Sequence, residues 1–292
     1  MLALRKSMDC FQSKHLRQPE ANRTVRKSLN FVRRNNIRIS IKNTGHDYFG
    51  RSSAANSLGI WIHHMKGMKY HKKFEPQYCK AQYENVGEIN AAIAGGFGQG
   101  GGHGPLSPKY GLTVDQATEF DVASTDSQRW IVNECTDPDL FWAMQGDGGG
   151  NYAILTSYKF RLRTLLPSFI ADTEGHHRVQ GPPRHHQIIS IQPGTLSSSG
   201  IAGYNFMLPD HMLYHDFLAA YVGIKIAENT FHTFPNFSEW HNLIEQPAIT
   251  KNSPAGRGLS ESGRFVPRSL FQTPLNIDKL SNAILTAMQI CT

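Results

Sequence analysis

The sequence predicts an α+β fold, and three observations support this class. Val25, Leu29 and Val32 recur at near-helical spacing, and the segment 37–41 that follows them alternates apolar and polar residues. The first pattern predicts a helix packed on a sheet, and the second predicts a half-buried strand. The third observation is a set of glycine-rich segments, each of which adjoins a predicted strand.

Further segments of the same region match regular elements. The segment 58–62 predicts a short strand, and the segments 114–124 and 129–133 predict a β-hairpin that turns at Thr125 and Asp126. A short helix is expected to open at Asp137 and Pro138, because proline is tolerated at the first helical position. The segment 154–162 predicts another strand.

We expect a helix over 88–94. It should end at residue 94, because the glycine-rich segment 95–111 that follows is expected to contain no regular structure. Beyond residue 165 the composition changes. The segments 181–187 and 193–200 are typical of linkers, and the segment 208–226 predicts a helix. We therefore expect a poorly defined N-terminus over 1–20, one domain over 21–166 and a second domain over 167–292.

Composition excludes several classes of protein. Hydrophobic residues make up 39% of the 292 residues and charged residues 18%, which is typical of a globular chain. No apolar run approaches the ~18 residues of a membrane span, so no membrane partner is expected. The first residues match no secretion signal, which leaves the localisation open.

The net charge of +7 raises the question of an anionic partner. Basic residues cluster between Arg17 and Arg38 on an amphipathic pattern that is typical of a solvated helix face, so no nucleic acid is expected as a partner. A basic nucleic-acid-binding protein stays as an alternative of lower weight. The four cysteines have no CxxC spacing, which argues against a zinc site but leaves room for one disulfide.

Three glycine-rich loops are the segments that indicate a bound ligand: loop 1 (Asn43–Ser52), loop 2 (Gly95–Gly104) and loop 3 (Gly146–Asn151). Each could be a tight turn. Glycine also lets successive backbone N–H groups converge on a phosphate. Three such loops in about 110 residues favour a large dinucleotide as the ligand.

Loop 2 also contains a GxGxxG pattern from Gly96 to Gly101. This pattern indicates a nicotinamide-dinucleotide site only when a strand precedes it and a helix follows it. Pro105 and Pro108 would stop a helix at its start. We therefore reject a Rossmann-type interpretation.

Three long segments resemble a known family. The segments are KNTGHDYFGRS (42–52), GQGGGHGPLSPKYGL (98–112) and DPDLFWAMQGDGGGNYAILTS (137–157). They are similar to segments of the fungal berberine bridge enzyme-like FAD-linked oxidases, which carry a PCMH-type FAD-binding domain. The resemblance is strong from Val25 to Arg163, and it is fainter in the segment 263–272.

The resemblance implies an incomplete PCMH-type FAD-binding domain over 21–166 and part of an α+β substrate domain over 167–292. It also implies that FAD is bonded to His46 and that its pyrophosphate lies on the amides of the first two loops. The implied cofactor-binding residues are Asn43, Thr44, Gly45, His46, Asp47, Gly50, Arg51, Ser52, Gly101, Gly102, His103 and Gly104, with Asp115 and Ile154 at the adenosine side or the flavin edge.

The sequence departs from the family pattern in three places. The cysteine segment that gives many members a second flavin link is absent, so covalent attachment would be through His46 alone. The first strand of the family and the second half of its substrate domain are also not found, and the catalytic residues therefore stay unknown.

His211 and His215 are four residues apart on the predicted helix 208–226, but Met212 stands where a metalloprotease motif requires glutamate, and no metal is expected.

The implied function is an FAD-dependent oxidoreductase. A small-molecule substrate would lose a hydride from an alcohol- or amine-bearing carbon to the flavin, and the electrons would pass to oxygen. The alternative is a truncated, catalytically inactive remnant of such an oxidase. The missing segments leave the choice between an active enzyme and this remnant open.

Overall fold

The computed structural model describes residues 18–47, 49–104, 107–163, 169–172, 177–179, 204–207, 212–215, 231–235, 237–240, 242 and 266–290. The chain divides into two compact units. Among the described residues, the first unit holds 18–47, 49–104 and 111–163, and the second holds 107–110 and those beyond 168. The predicted division into a cofactor domain and a substrate domain stays a prediction, and residues 1–17 lie outside the described residues.

The first unit opens with helix α1 (Gln18–Arg34), strand β1 (Arg38–Lys42) and strand β2 (Ser57–Trp61). The two strands pair in parallel. Val25 and Leu29 of α1 are 5% and 2% exposed and lie in one core cluster with Ile60 and Ile62. The predicted helix and both predicted strands are confirmed.

This unit also contains a five-stranded antiparallel sheet. It contains β3 (Met68–Phe74), β4 (Tyr83–Asn90), β5 (Ala117–Ala123), β6 (Arg129–Val132) and β7 (Ile154–Arg161) in the order β3-β4-β7-β5-β6. Phe120, Tyr158 and Phe141 belong to an apolar cluster of the unit. Phe141 comes from helix α4 (Pro138–Ala143), which therefore packs against the sheet.

The structure confirms the predicted β5–β6 hairpin, the strand β7 and the opening of α4. The hairpin turns between Ser124 and Gln128, where the Ser124 amide donates to the Gln128 carbonyl at 3.1 Å. At the start of α4 the Asp137 carboxylate accepts the Leu140 amide at 3.1 Å, as expected of an N-cap.

Helix α2 (Ala91–Gln99) corrects two predictions about the glycine-rich segment. The segment 88–90 belongs to strand β4, and the helix runs through Gly95, Gly96 and Gly98 instead of ending before them. Glycine is a poor helix former, but packing of the helix against its neighbours overrides that preference. Two glycines of the GxGxxG pattern thus lie inside a helix, and the prolines that follow do not prevent it.

Strand β3 was not predicted from the sequence. Its burial pattern is almost entirely exposed, so the sequence MKYHKKF lacks the apolar alternation of a half-buried strand. The strand forms because it pairs with β4 over its length.

Among its described residues, the second unit contains α3 (Ser107–Tyr110), five short strands, α5 (Phe237–Trp240), a 3-10 turn at Arg268–Phe271 and α6 (Pro274–Ile290). The strands are β8 (Phe169–Asp172), β9 (His177–Val179), β10 (Tyr204–Met207), β11 (Met212–His215) and β12 (Phe231–Phe234). Strand β12 pairs with β8, and β11 lies between β10 and β9.

Strand β11 shows that the prediction of a helix over 208–226 is wrong at Met212–His215. Pairing with both β10 and β9 overrides the local helical preference. His215 therefore lies on a strand, and the rest of the segment, including His211, is outside the described residues, as are the two predicted linkers. Within the described part of the chain, no helix is long and apolar enough to span a membrane.

A disulfide and a buried polar network link distant parts of the large sheet. A disulfide joins Cys79, in the connection between β3 and β4, to Cys135, which follows β6. Next to it, the buried Glu119 carboxylate accepts the Lys159 ammonium at 2.8 Å and the Gln77 amide at 2.6 Å. The Asn133 side chain donates to the same carboxylate at 3.0 Å.

We expect the Lys159→Met substitution to lower the free energy of unfolding by about 3–5 kcal/mol, because Glu119 would stay buried without its cationic partner. Urea unfolding followed by far-UV circular dichroism measures this change. The matched control is Lys69→Met on the exposed side of β3, which should change stability little. Equal losses of unfolding free energy in the two variants would contradict a stabilising role for the buried pair of Lys159 and Glu119.

Candidate functional site

The three glycine loops of the sequence are neighbours in the first unit. Loop 3 lies directly on helix α2, since a Cβ atom placed on Gly149 would be 2.7 Å from the Cα of Gly96. The Gly148 amide donates to the Gln99 carbonyl at 3.3 Å. Backbone therefore packs on backbone, and only glycine at position 149 allows this approach.

Loop 1 contacts both other loops. The Asn43 amide group donates to the Ala91 carbonyl at 3.3 Å, and a Cβ on Gly95 would be 2.9 Å from the Asn43 nitrogen. On the other side, the Arg51 guanidinium lies 3.8 Å from the Cβ position of Gly148. Loops 1 and 2 thus meet through Asn43 and Gly95, with loop 3 against both. None of these contacts involves the predicted loop 2 residues Gly101, Gly102, His103 and Gly104.

Loop 1 is held in shape by the pair of Asp47 and Arg51. The Asp47 carboxylate accepts the Arg51 main-chain amide at 2.5 Å and the guanidinium Nε and Nη2 atoms at 2.9 and 2.7 Å. The hydrogen bond from Arg51 holds the pKa of Asp47 below its usual value, although partial burial opposes the shift. The Arg51 side chain is 65% exposed, so its charge faces the solvent.

Two loop 1 amides that were predicted to bind the pyrophosphate make hydrogen bonds within the loop. The Arg51 amide is bonded to Asp47, and the Gly50 amide donates to the Asp47 carbonyl at 3.2 Å. Both amides thus stabilise the turn. His46 and Thr44 are exposed, and Ser52 is half-buried.

Loop 2 leaves helix α2 through Gly101 and Gly102, both with positive φ. Their carbonyls accept the Val114 and Thr113 amides at 3.1 and 3.0 Å, so this part of the loop is pinned to the segment before β5. His103 is exposed, with its ring 6.1 Å from that of Phe97. The loop thus presents an imidazole next to an exposed aromatic ring.

Two predicted residues do not bring their side chains to the loops. Ile154 is 2% exposed, and its side chain belongs to the core cluster of α1 and β2, so only its main chain could contact a ligand. The Asp115 carboxylate accepts the Leu112 amide at 2.7 Å and thereby closes its own turn.

A cluster next to loop 1 was missed by sequence reasoning. Trp61 at the end of β2 donates its indole N–H to the Asn43 carbonyl at 2.8 Å. Its ring stacks with His63, at 6.0 Å between ring centroids, and meets His64 edge-on at 4.7 Å. Neither histidine belongs to a motif, and only the parallel register of β1 and β2 places them beside the loop.

His63 lies in an environment that disfavours its charged form. Burial lowers its pKa, and the nearby Lys66, His64 and Lys42 lower it further. Its Nδ1 atom is buried without a hydrogen-bond partner in the described part of the chain. Among the described residues, no group of three or more potential protein ligands could hold a metal ion.

We expect the Gly149→Ala substitution to lower the free energy of unfolding by about 1–3 kcal/mol, because its Cβ would force loop 3 away from α2. The matched control is Gly96→Ala across the same contact. A Cβ on Gly96 meets nothing within 4 Å, so this change should be neutral or stabilise by roughly 0.5–1 kcal/mol. Urea unfolding of both variants measures the difference in stability. Equal losses of stability would contradict the close contact between Gly149 and Gly96.

A second prediction concerns pH. Below its ordinary pKa of 6.5, His63 takes up a proton in the unfolded chain more readily than in the folded one, so the folded state should lose stability as the pH falls from 7 to 5. The His63→Gln variant should lose less over this interval. The control is His103→Gln, which removes an exposed histidine; if it flattens the profile as much as His63→Gln, the assignment to His63 is wrong.

Comparison with known proteins identifies relatives. An FAD-linked oxidoreductase of Phaeosphaeria nodorum is 36% identical over 181 residues, which cover 53% of this chain and 41% of that protein. Another, of Hypocrea jecorina, is 33% identical over 289 residues, which cover 85% of this chain and 49% of that protein. The chain thus spans about half the length of these curated relatives. No protein-family model matches the chain.

Solved structures show the same fold. A VAO-type flavoprotein from Myceliophthora thermophila C1 superposes with a TM-score of 0.68 at 22% identity, over 92% of this chain and 57% of that one. A variant of berberine bridge enzyme gives a TM-score of 0.54 at 15% identity, over 76% of this chain and 51% of that one. The family resemblance predicted from the three motifs is confirmed. The chain is a relative of the fungal FAD-linked oxidoreductases and has the fold of the VAO-type flavoproteins with a PCMH-type FAD-binding domain.

Proposed function

We propose that this chain binds FAD at the three glycine loops and is an FAD-dependent oxidoreductase. The observation that carries the proposal is the mutual contact of loops 1, 2 and 3 in one unit. The names of the relatives, FAD-linked oxidoreductases and a VAO-type flavoprotein oxidase, support the same activity.

The residues at the loops fit a dinucleotide. A Cβ placed on Gly50, Gly104 or Gly146 would meet nothing within 4 Å, so the backbone there faces open space that a ligand could approach closely. Arg51 adds an exposed guanidinium beside loop 3, and a guanidinium binds the oxygens of a phosphate well. An anionic diphosphate is therefore a suitable ligand for this surface.

Each loop has a separate part in the proposed site. Loop 1 presents His46 as the covalent anchor, and the amides of Asn43, Thr44, Gly45, His46 and Asp47 face the pyrophosphate with the Arg51 side chain. Loop 2 contributes Gly101, Gly102, His103 and Gly104. The assigned amides of Gly50 and Arg51 act indirectly, since they hold the turn that carries His46.

Bound FAD would supply the redox chemistry, which is removal of a hydride from an alcohol- or amine-bearing carbon of a small molecule and return of the electrons to oxygen. The chain would provide orientation and charge. Loop 1 would hold the anchor, and the exposed Arg51 guanidinium, already paired with Asp47, would donate further hydrogen bonds to the diphosphate. The exposed rings of Phe97 in loop 2 and Tyr152 after loop 3 would add apolar surface.

We expect protein expressed with ample riboflavin to be yellow and to keep its colour in the pellet after acid precipitation. The His46→Ala variant should lose all of the covalent flavin, because no second attachment residue is assigned. The control is His71→Ala in β3, outside the three loops, which should keep the covalent fraction. The absorbance spectrum before and after precipitation measures both.

Three results would argue against an active enzyme with covalently bound FAD. Colourless wild-type protein would overturn FAD binding, and colour that stays in the supernatant would overturn covalent attachment. Yellow protein that consumes no oxygen with a panel of alcohols, sugars and amines would favour the alternative of an inactive flavin-binding chain.

A further inference from the structure

The ends of strands β1 and β2 place two unassigned side chains against loop 1. Lys42 and Trp61 are register partners at the end of this parallel pair. Chain segments that leave neighbouring parallel strands emerge at the same edge, so loop 1 and the turn after β2 start side by side. Trp61 is half-buried at this point.

Trp61 restrains the two residues that frame the approach to His46. Its indole Nε1 donates to the Asn43 carbonyl at 2.8 Å. Its ring also lies 5.5 Å from the Lys42 ammonium, a cation–π distance. The Lys42 Cε is in turn 3.0 Å from the Cβ position of Gly45, which directly precedes His46.

The indole itself is held by the turn that follows. His63 stacks nearly parallel to it, with an interplanar angle of 17°, and His64 meets it edge-on at 71°. This turn packs against α2, because Ile62 lies in the same core cluster as Ala91. His63 and His64 thus hold the indole ring in place, while its N–H donates to Asn43 of loop 1 and its ring contacts Lys42 next to that loop.

We propose that Trp61 is a positioning residue that holds loop 1 in the conformation in which His46 reaches the flavin. The proposal rests on the proposed function only in naming His46 as the anchor. The order of loop 1 is a property of the chain itself and can be measured without flavin.

The test is hydrogen exchange by mass spectrometry on the flavin-free full chain, with Trp61→Phe as the variant. Phenylalanine keeps an aromatic ring but cannot donate to the Asn43 carbonyl. Loss of one partly buried hydrogen bond should speed exchange of the segment 43–52 roughly five- to thirty-fold. The control is Trp130→Phe, which removes the indole bonded to Asp126 in the β5–β6 turn and should leave loop 1 unchanged.

Two results would overturn the positioning role. One is unchanged exchange of the segment 43–52 in Trp61→Phe. The other is an equal increase in β5 and β7, which would make Trp61 an ordinary core residue. If Trp61→Phe fails to fold, Lys42→Met tests the second contact, and it should speed exchange at Gly45 and His46.

The flavin-loaded protein gives an independent reading. Trp61→Phe should slow the formation of acid-stable flavin at saturating FAD, where weaker non-covalent binding no longer limits the rate, because loop 1 then holds His46 in place less often. An unchanged rate at saturating FAD would contradict the positioning role. If the wild-type chain takes up no flavin, the proposed function fails, whereas the exchange experiment still decides whether Trp61 orders loop 1.

Discussion

The arrangement of the first unit depends on one close contact between main chains, that of Gly149 with Gly95 and Gly96 of helix α2. Side chains of ordinary size at this crossing would hold loop 3 away from the helix. The contact of Asn43 with Gly95 brings loop 1 to the same helix. The glycine-containing helix is therefore the common surface on which all three loops meet, and any ligand site at the loops requires it.

Most of the first unit could be predicted from the sequence because its elements follow local rules. The apolar spacing of α1, the alternation in β1 and the Asp137 cap of α4 each depend on a few neighbouring residues. The failures have tertiary causes. Helix α2 forms through glycines, β3 is defined only by its partner β4, and Met212–His215 becomes a strand between two others. None of these partners can be read from the local pattern.

The candidate site shows the same division. The loops could be nominated from the sequence because glycines mark them, and His46 because its segment resembles that of a known family. Trp61 and His63 were missed, since their position beside loop 1 follows from the pairing of β1 with β2. The motif also could not show that the Arg51 amide is taken up by the Asp47 carboxylate within the loop.

The disulfide between Cys79 and Cys135 joins positions 56 residues apart and connects the two outermost strands of the large sheet, since β3 and β6 are its edges. A covalent tie of this length removes a large number of extended conformations from the denatured ensemble, which corresponds to about 4 kcal/mol in a chain-entropy treatment. The bond closes a covalent circuit from Cys79 to Cys135 that contains β4, β5 and β6, so the segment that follows β3 stays close to the segment that follows β6 while the bond is intact. Reducing conditions would open that circuit and leave both borders held by non-covalent pairing alone.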